Sequence, residues 1–167
     1  MEELQVENKE RLLPASSGAL IKCGSELIMY RRDDKPKIPH PGKIGIIGGK
    51  LEEGETPLQA LIREIKEEIG IKVTPQQIKY SGKLVAGDDQ DHEKHIFLLE
   101  ISPEQKEMVK KGEEGKEILF FGLGDLPSPD ELVPDLKVIF DRHRDSLEKW
   151  LNGKEVSPQD LGLTKFP

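Results

Sequence analysis

The stretch that decides the fold runs from Gly48 to Ile71 and has the sequence GGKLEEGETPLQALIREIKEEIGI. Its second half carries the start and stop signals of a helix. Thr56, followed three residues later by Gln59, forms a capping box, and the proline after Thr56 suits the first helical position, where its missing N–H costs nothing. Gly70 can adopt the left-handed conformation that ends a helix. These signals predict a helix over residues 57–69.

The predicted helix has an apolar face and an acidic face. Five apolar side chains fall within an arc of roughly 100°, the width of a stripe that faces a core; they are Leu58, Leu61, Ile62, Ile65 and Ile69. Glu64, Glu67 and Glu68 lie on another arc at spacing i, i+3, i+4, where like charges repel by roughly 0.2–0.5 kcal/mol per pair. A hard divalent cation such as Mg²⁺, which prefers oxygen ligands, would compensate this repulsion. The competing interpretation is a solvated acidic face that Arg63 and Lys66 partly neutralise.

The wider spacing favours the metal site. From Gly49 onward the pattern is Gly, five residues, Glu55, seven residues, Arg63-Glu64-Ile65, one residue, Glu67-Glu68, one residue, Gly70-Ile71. The segment resembles the Nudix box of the Nudix (MutT-like) hydrolases at each of the nine positions that the box specifies. This resemblance implies hydrolysis of a diphosphate bond in a nucleoside diphosphate linked to another moiety, with Mg²⁺ or Mn²⁺ as cofactor.

The resemblance also implies roles for individual residues. Glu64, Glu67 and Glu68 would hold the metal, and a main-chain carbonyl of Gly48 or Gly49 would face it. Glu55 and Arg63 would form a pair that orients the box. The predicted catalytic glutamates are Glu64, Glu67 and Glu114. The general base is either Glu64 or a carboxylate from the loop before the strand at 118–121, where Glu114 is favoured over Glu113 and Glu117.

A second candidate region lies at the end of an early predicted strand and consists of Arg31 and Arg32. The two arginines are predicted to bind substrate phosphate, the alternative being solvated cations on an edge strand. The loop that follows contains three prolines, which disfavour a helix there. It is a candidate for the substrate side of the site.

Composition narrows the class of protein. The chain has 167 residues, which suits one domain, and its net charge of −7 disfavours binding of large nucleic acids, which requires clustered Lys and Arg. It lacks an apolar stretch of the ~18 residues that a membrane span needs, and its first dozen residues lack the apolar core of an export signal. A single cysteine allows no internal disulfide and fits a reducing cytoplasm. The expected partner is a small nucleotide-type substrate, and the sequence leaves room for a homodimer.

The order of elements predicts the architecture. Strands are expected at 18–22, 26–31, 43–47, 77–85, 95–101 and 118–121, and further helices at 103–111 and 134–151, the first two strands forming a hairpin. This order favours an α/β (α+β) domain with a mixed β-sheet sandwiched between α-helices, as the Nudix resemblance implies. The predicted organisation is a polar lead-in at 1–15, the domain at 16–151 and a loosely packed tail at 152–167.

Other functions fit less well. A catalytically silent Nudix module that binds a nucleotide-like ligand would be expected to lack a metal carboxylate, and none is missing. Isomerisation of an isoprenoid diphosphate needs a cysteine over the reacting carbons, whereas Cys23 lies in an early strand. The Walker pattern of P-loop proteins is absent, and the acidic loop at 87–94 lacks the glycine and glutamate of a calcium loop. The identity of the substrate stays open.

Overall fold

A computed structural model describes residues 15–84 and 92–164. Within them the chain forms strands β1 (Ala15–Cys23), β2 (Glu26–Arg31), β3 (Ile44–Gly45), β4 (Ile47–Lys50), β5 (Ile78–Leu84), β6 (Glu93–Glu100) and β7 (Glu117–Phe121). The helices are α1 (Pro57–Ile69), α2 (Pro103–Glu107), α3 (Pro134–Arg142) and α4 (Arg144–Leu151). Residues 1–14 of the predicted polar lead-in and most of the acidic loop at 87–94 lie outside the described residues. None of the described helices is long and apolar enough to cross a membrane.

The seven strands form one mixed sheet. Its main path has the order β3-β2-β1-β6-β5, while β4 pairs with β1 and β7 pairs with β2. Strands β1 and β6 run parallel, and the other pairs are antiparallel. Pairing of Cys23 with Glu26 closes the hairpin between β1 and β2. The predicted hairpin and the predicted mixed sheet are therefore confirmed.

Helices cover both faces of this sheet. Along β1, Ala19 and Ile21 belong to the core beneath α1, whereas Leu20 belongs to the core beneath α3 and α4. All three side chains are fully buried. Successive side chains of a strand point to opposite faces, so a central strand buried on both sides is continuously apolar. The predicted sandwich of a sheet between helices is confirmed.

Helix α1 begins and ends where the sequence predicts. Thr56 accepts a hydrogen bond from the Gln59 N–H at 3.1 Å, and the Gln59 side chain accepts one from the Thr56 N–H at 3.0 Å. Gly70 has φ 77° and ends the helix in the left-handed conformation. The predicted stripe faces the core, with Leu61, Ile65 and Ile69 fully buried. Local signals and the apolar period agree here, and the resulting helix carries its glutamates on a different face from its apolar stripe.

The predicted strand at 43–47 is wrong in its bounds. The chain pairs first with β2, through β3, and then with β1, through β4, and Ile46 separates the two pairings. Gly48 and Gly49 lie inside β4, opposite Gly18 and Ser17 of β1, rather than in a loop after a strand. The apolar pattern does not reveal the change of pairing partner, because both β3 and β4 contain isoleucine.

The single helix predicted at 134–151 is also wrong, because it is broken at His143. That residue has φ −120° and ψ 25°, which is not helical. The Arg144 side chain stabilises the break by donating hydrogen bonds to the carbonyls of Phe140 at 3.0 Å and Pro127 at 2.8 Å. Helix α2 is likewise shorter than the predicted 103–111.

The prediction of a loosely packed tail after residue 151 is wrong for its described part. Val156, Leu161 and Leu163 are buried in the core beneath α3 and α4. Thr164 and Lys83 exchange two main-chain hydrogen bonds of 2.9 and 2.7 Å, so the tail adds a bridge beside β5. Apolar residues that are widely spaced in a polar segment gave little sign of this packing.

Candidate active site

Arg63 on α1 joins the helix to the loop that precedes it. Its Nε and Nη2 donate hydrogen bonds to the two carboxylate oxygens of Glu55 at 2.8 and 2.9 Å. Nη2 also donates to the Lys50 carbonyl at 3.0 Å. A bidentate guanidinium–carboxylate pair is fixed in geometry as well as strong. The structure thus brings Glu55 and Arg63 together and ties residues 50–55 to the face of α1 that carries the glutamates.

The same guanidinium reaches two of these glutamates. Nη1 of Arg63 lies 2.9 Å from Oε1 of Glu64 and 3.2 Å from Oε2 of Glu67. The Glu64 side chain is 15% exposed and that of Glu67 is 57% exposed. Glu64 therefore lies at the edge of the core, while Glu67 faces solvent.

Glu68 is the most deeply buried of the three. Its Oε2 accepts a hydrogen bond of 3.3 Å from the Gly48 N–H. Burial raises the pKa of Glu68 to about 8, with a smaller contribution from the charge of Glu64, and the Gly48 N–H and Arg32 oppose the shift. Burial also raises the pKa of Glu64, against the effect of Arg63. Both carboxylates are thus partly desolvated, and a bound cation would stabilise their ionised forms.

Gly48 and Gly49 let β4 approach its neighbours closely. A Cβ atom on Gly48 would lie 2.1 Å from the main-chain oxygen of Ser17 on β1. A Cβ atom on Gly49 would lie 2.5 Å from the carboxyl carbon of Glu64. Glycine at both positions therefore allows the Gly48-Gly49 backbone to fit between β1 and the carboxylates of α1.

The loop that contains Glu114 is held against the C-terminal end of α1. The Lys110 N–H donates to the Ile69 carbonyl and the Gly112 N–H to the Glu68 carbonyl, each at 2.9 Å. The charge of Glu114 contributes to the raised pKa values of both Glu64 and Glu68. Glu114 therefore lies within electrostatic range of the helix carboxylates.

The other two carboxylates of this loop are placed differently. Glu117 forms an ion pair of 3.0 Å with Nε of Arg31, on the neighbouring strand β2. Glu113 is exposed, as Glu114 is, but its charge is not among the causes that raise the pKa values of Glu64 and Glu68. Of the three candidates, the structure associates Glu114 with the glutamates of α1.

Arg31 and Arg32 lie in different surroundings. Arg32 lines a cleft beside β4, where its Nη1 lies 3.4 Å from the hydroxyl of Tyr30. Burial, followed by the charge of Glu68, raises the pKa of Tyr30 to about 12, so this hydroxyl stays neutral. Arg31 instead donates to the Gly42 carbonyl at 3.0 Å and binds Glu117. The structure brings Arg32 to the cleft and keeps Arg31 in contacts within the fold.

This cleft, which we call the β1–β4 cleft, has a volume of about 170 Å³. Its lining includes Ser16, Gly48 and Gly49 on one side and apolar residues of β6 and α3 on another. Lys94 and Asp135 form an ion pair in its wall. These two residues were not predicted, because they come from separate elements and neither belongs to a motif. The Gly48-Gly49 backbone thus borders both this cleft and the helix carboxylates.

The chemistry of the site suits a divalent cation. Its donors are carboxylate and main-chain oxygens, the ligands that Mg²⁺ and Mn²⁺ prefer. No three His, Cys, Asp or Glu side chains converge as a ready cluster within residues 15–84 and 92–164. Glu64 and Glu67 are turned toward Arg63. Binding would therefore exchange these hydrogen bonds for contacts with the cation.

Comparison with known proteins identifies the family of the chain. The model of the NUDIX domain matches residues 12–143. The chain belongs to the Nudix family. It is 38% identical to the 8-oxo-dGTP diphosphatase of Escherichia coli K12 over 72% of this chain and 92% of that protein. It is 29% identical to the ADP-ribose pyrophosphatase of Methanocaldococcus jannaschii over 83% of this chain and 75% of that protein.

A solved structure has the same fold. It is a bifunctional NMN adenylyltransferase/ADP ribose pyrophosphatase from Francisella tularensis, complexed with AMP and Mn ion. The match has a TM-score of 0.58 and 20% identity, and it covers 87% of this chain but 47% of that one. The family match and the names of the two relatives confirm the predicted enzyme class, a Nudix-type pyrophosphohydrolase.

Proposed function

We propose that this Nudix enzyme hydrolyses the diphosphate bond of a nucleoside diphosphate linked to another moiety, and that it needs a divalent cation to do so. The observation that carries the proposal is that Glu64 and Glu68, both partly desolvated, lie beside the Gly48-Gly49 backbone, where burial and the charge of Glu64 raise the pKa of Glu68. Such a pair is stabilised in its ionised form by a cation. A diphosphate substrate needs the same cation to approach carboxylates at all.

Each residue then has a proposed role. Glu64, Glu67 and Glu68 hold the metal together with a main-chain oxygen of Gly48 or Gly49. When bound, Mg²⁺ or Mn²⁺ supplies charge neutralisation for the substrate phosphates and lowers the pKa of the attacking water. Arg32 binds a substrate phosphate from the β1–β4 cleft, where its guanidinium is already held by Tyr30. Glu55 keeps Arg63 oriented on α1.

A carboxylate must also take the proton of the attacking water. Glu114 is proposed for this step because its loop is bound to the end of α1 and its charge acts on Glu64 and Glu68. Glu64 is the alternative, since its contact with Arg63 leaves one carboxylate oxygen for other partners. A positioned general base is worth about 10²–10⁴-fold in rate, so the two assignments differ measurably.

The relatives support a nucleotide substrate. Their names include an 8-oxo-dGTP diphosphatase and an ADP-ribose pyrophosphatase, and the Francisella structure contains AMP and Mn ion. These are different members of one substrate class, so we propose the class for this chain and leave its member to a screen. A cytoplasmic location and a homodimer stay predictions from the sequence.

The test is a screen of nucleoside triphosphates, nucleotide sugars and dinucleotides, scored by release of phosphate or nucleotide with and without Mg²⁺. Turnover of at least one compound is expected with Mg²⁺ and is expected to stop after exhaustive chelation. Turnover is then expected to return when Mg²⁺ or Mn²⁺ is added back, but not when salt is added. Undiminished turnover after chelation would contradict the proposed metal dependence.

A further inference from the structure

A buried lysine lies at the other end of β1. Lys22 is only 6% exposed. Its Nζ donates a hydrogen bond of 2.6 Å to the main-chain carbonyl of Trp150 and lies 4.8 Å from the centroid of the Trp150 ring. Buried charges are normally paired with an opposite charge, because desolvation of an unpaired one is costly. Among residues 15–84 and 92–164, no carboxylate oxygen lies within 4.0 Å of this ammonium group.

Lys22 lines an open pocket of about 240 Å³, which we call the Lys22 pocket. The pocket lies where β1 and β6 end, β5 begins and α4 reaches its C-terminus. Two exposed lysines, Lys79 and Lys154, also line it, and neither forms an ion pair with the described residues. Glu100 and Glu155 are in the lining too, but they pair with none of the three lysines. The lining thus holds three lysines and two glutamates, an excess of one positive charge in a protein of net charge −7, although Glu100 is in register with Lys22 on the neighbouring strand.

A structural role explains only part of this arrangement. A lysine near the C-terminal end of a helix is stabilised by the last carbonyls, and the Trp150 carbonyl belongs to the last turn of α4. An ammonium group has three N–H donors, however, and this contact uses one. The contact between Lys22 and the end of α4 also gives no reason for Lys79 and Lys154 to line the same pocket. The remaining donors of Lys22 and the net positive charge of the lining suit an anion.

We propose that the Lys22 pocket binds a small anion that carries a phosphate group, either inorganic phosphate or a phosphate monoester. A phosphate group has a charge near −1.5 to −2 at pH 7 and accepts several hydrogen bonds. A ligand with a phosphate group therefore suits a site with three lysines better than a ligand with one carboxylate group does. The pocket is separate from the catalytic site. Gly18 lines the β1–β4 cleft, and Lys22 follows four residues later on the same strand, a rise of about 13 Å.

The chain provides its own reporter for this site. Trp150 is its only tryptophan and contacts Lys22 directly. The full protein, in the presence of EDTA, is titrated with inorganic phosphate and separately with ribose 5-phosphate, a monoester that does not absorb where tryptophan is excited. Chloride at matched ionic strength is the control. A saturable change in tryptophan emission with either phosphate compound, and none with chloride, is expected. The tighter of the two compounds identifies free phosphate or a monoester as the better ligand.

Variants then locate the binding site. Lys79→Gln and Lys154→Gln, both at exposed positions, are each expected to weaken binding about two- to fivefold, as suits loss of one solvent-exposed charge contact. Lys22→Met is expected to abolish it. Lys72→Gln, an exposed lysine outside the pocket, and Arg32→Gln in the β1–β4 cleft should bind as the wild type does.

Three results would overturn the proposal. The first is a change in tryptophan emission that is linear in phosphate and equal to that with chloride. The second is unchanged binding in both Lys79→Gln and Lys154→Gln. The third is loss of binding in Arg32→Gln, which would assign the signal to the catalytic site. Because the exposed variants need not disturb the core, the test holds even where Lys22→Met fails to fold. Binding is measured without turnover, so failure of the proposed hydrolase function would not be confused with failure of this site.

Discussion

At the residue scale, Gly48 fixes the distance between β4 and β1. We expect Gly48→Ala to lower the free energy of unfolding by about 1–3 kcal/mol, because its new Cβ would lie 2.1 Å from the Ser17 oxygen and rigid backbone would have to move. Urea unfolding measures this change. Gly124→Ala is the matched control, since a Cβ there meets no described atom within 4 Å. Equal unfolding midpoints for the two variants would contradict the proposed packing.

The adjacent residue, Gly49, should behave differently. A Cβ on Gly49 would meet the carboxylate of Glu64, which is the end of a flexible side chain and can turn away. We therefore expect Gly49→Ala to lower kcat severely, by displacing Glu64, while changing the free energy of unfolding less than Gly48→Ala does. Steady-state kinetics and urea unfolding on the same preparations check both parts. A variant with normal kcat would mean that the position of Glu64 does not matter.

The sequence distinguished the two arginines only in part. Arg31 and Arg32 are adjacent, and strand alternation predicts that their side chains diverge. It does not say which of them reaches the site, because that depends on Glu117 from β7 and on the Gly42 carbonyl. The glutamates of the Nudix box needed no such partner, because their spacing on one helix places them together.

At the scale of elements, the loop from Lys110 to Glu117 decides the mechanism. We expect Glu114→Gln to lower kcat by about 10²–10⁴-fold with little change in metal affinity, because the loop holds this carboxylate beside α1. Glu113→Gln and Glu117→Gln are the matched controls and should keep most of their activity. If Glu64→Gln abolished turnover while Glu114→Gln had only a mild effect, the general base would be Glu64 on α1.

Element bounds were predictable where their signals are local. Helix α1 has a capping box, a proline and a terminal glycine within its own sequence, and its predicted bounds are confirmed. The break at His143 and the change of partner between β3 and β4 depend on contacts with distant segments, such as the hydrogen bond from Arg144 to the Pro127 carbonyl. The apolar period alone carries no information about those contacts.

At the scale of the whole molecule, the segment after α4 completes the core. We expect Leu161→Ala to lower the free energy of unfolding by about 2–5 kcal/mol, because Leu161 is fully buried beneath α3 and α4. Gln159→Ala, at an exposed position of the same turn, should change it by no more than about 0.5 kcal/mol. Thermal or urea unfolding measures both. A Leu161→Ala protein as stable as the wild type would restore the prediction of a loosely packed tail.

The sandwich architecture was predicted from the order of strands and helices together with what the Nudix resemblance implies. What could not be predicted is the wall of the β1–β4 cleft. Lys94 and Asp135 come from β6 and α3, and only the folded chain brings them into contact. In the proposed function the substrate contacts such residues, which is why the sequence indicates a reaction class more clearly than a substrate.

The central claim is that the carboxylates of α1 serve catalysis by holding a metal, and the kcat of Glu68→Gln tests it most directly. With the substrate found by the screen and saturating Mg²⁺, kcat is predicted to fall by about 10²-fold or more, while the protein stays folded and no less stable, because burial disfavours the charge that the substitution removes. Glu53→Gln, an exposed glutamate of the preceding loop, is the control and should keep the wild-type kcat. A folded Glu68→Gln enzyme with near-wild-type kcat would contradict the claim.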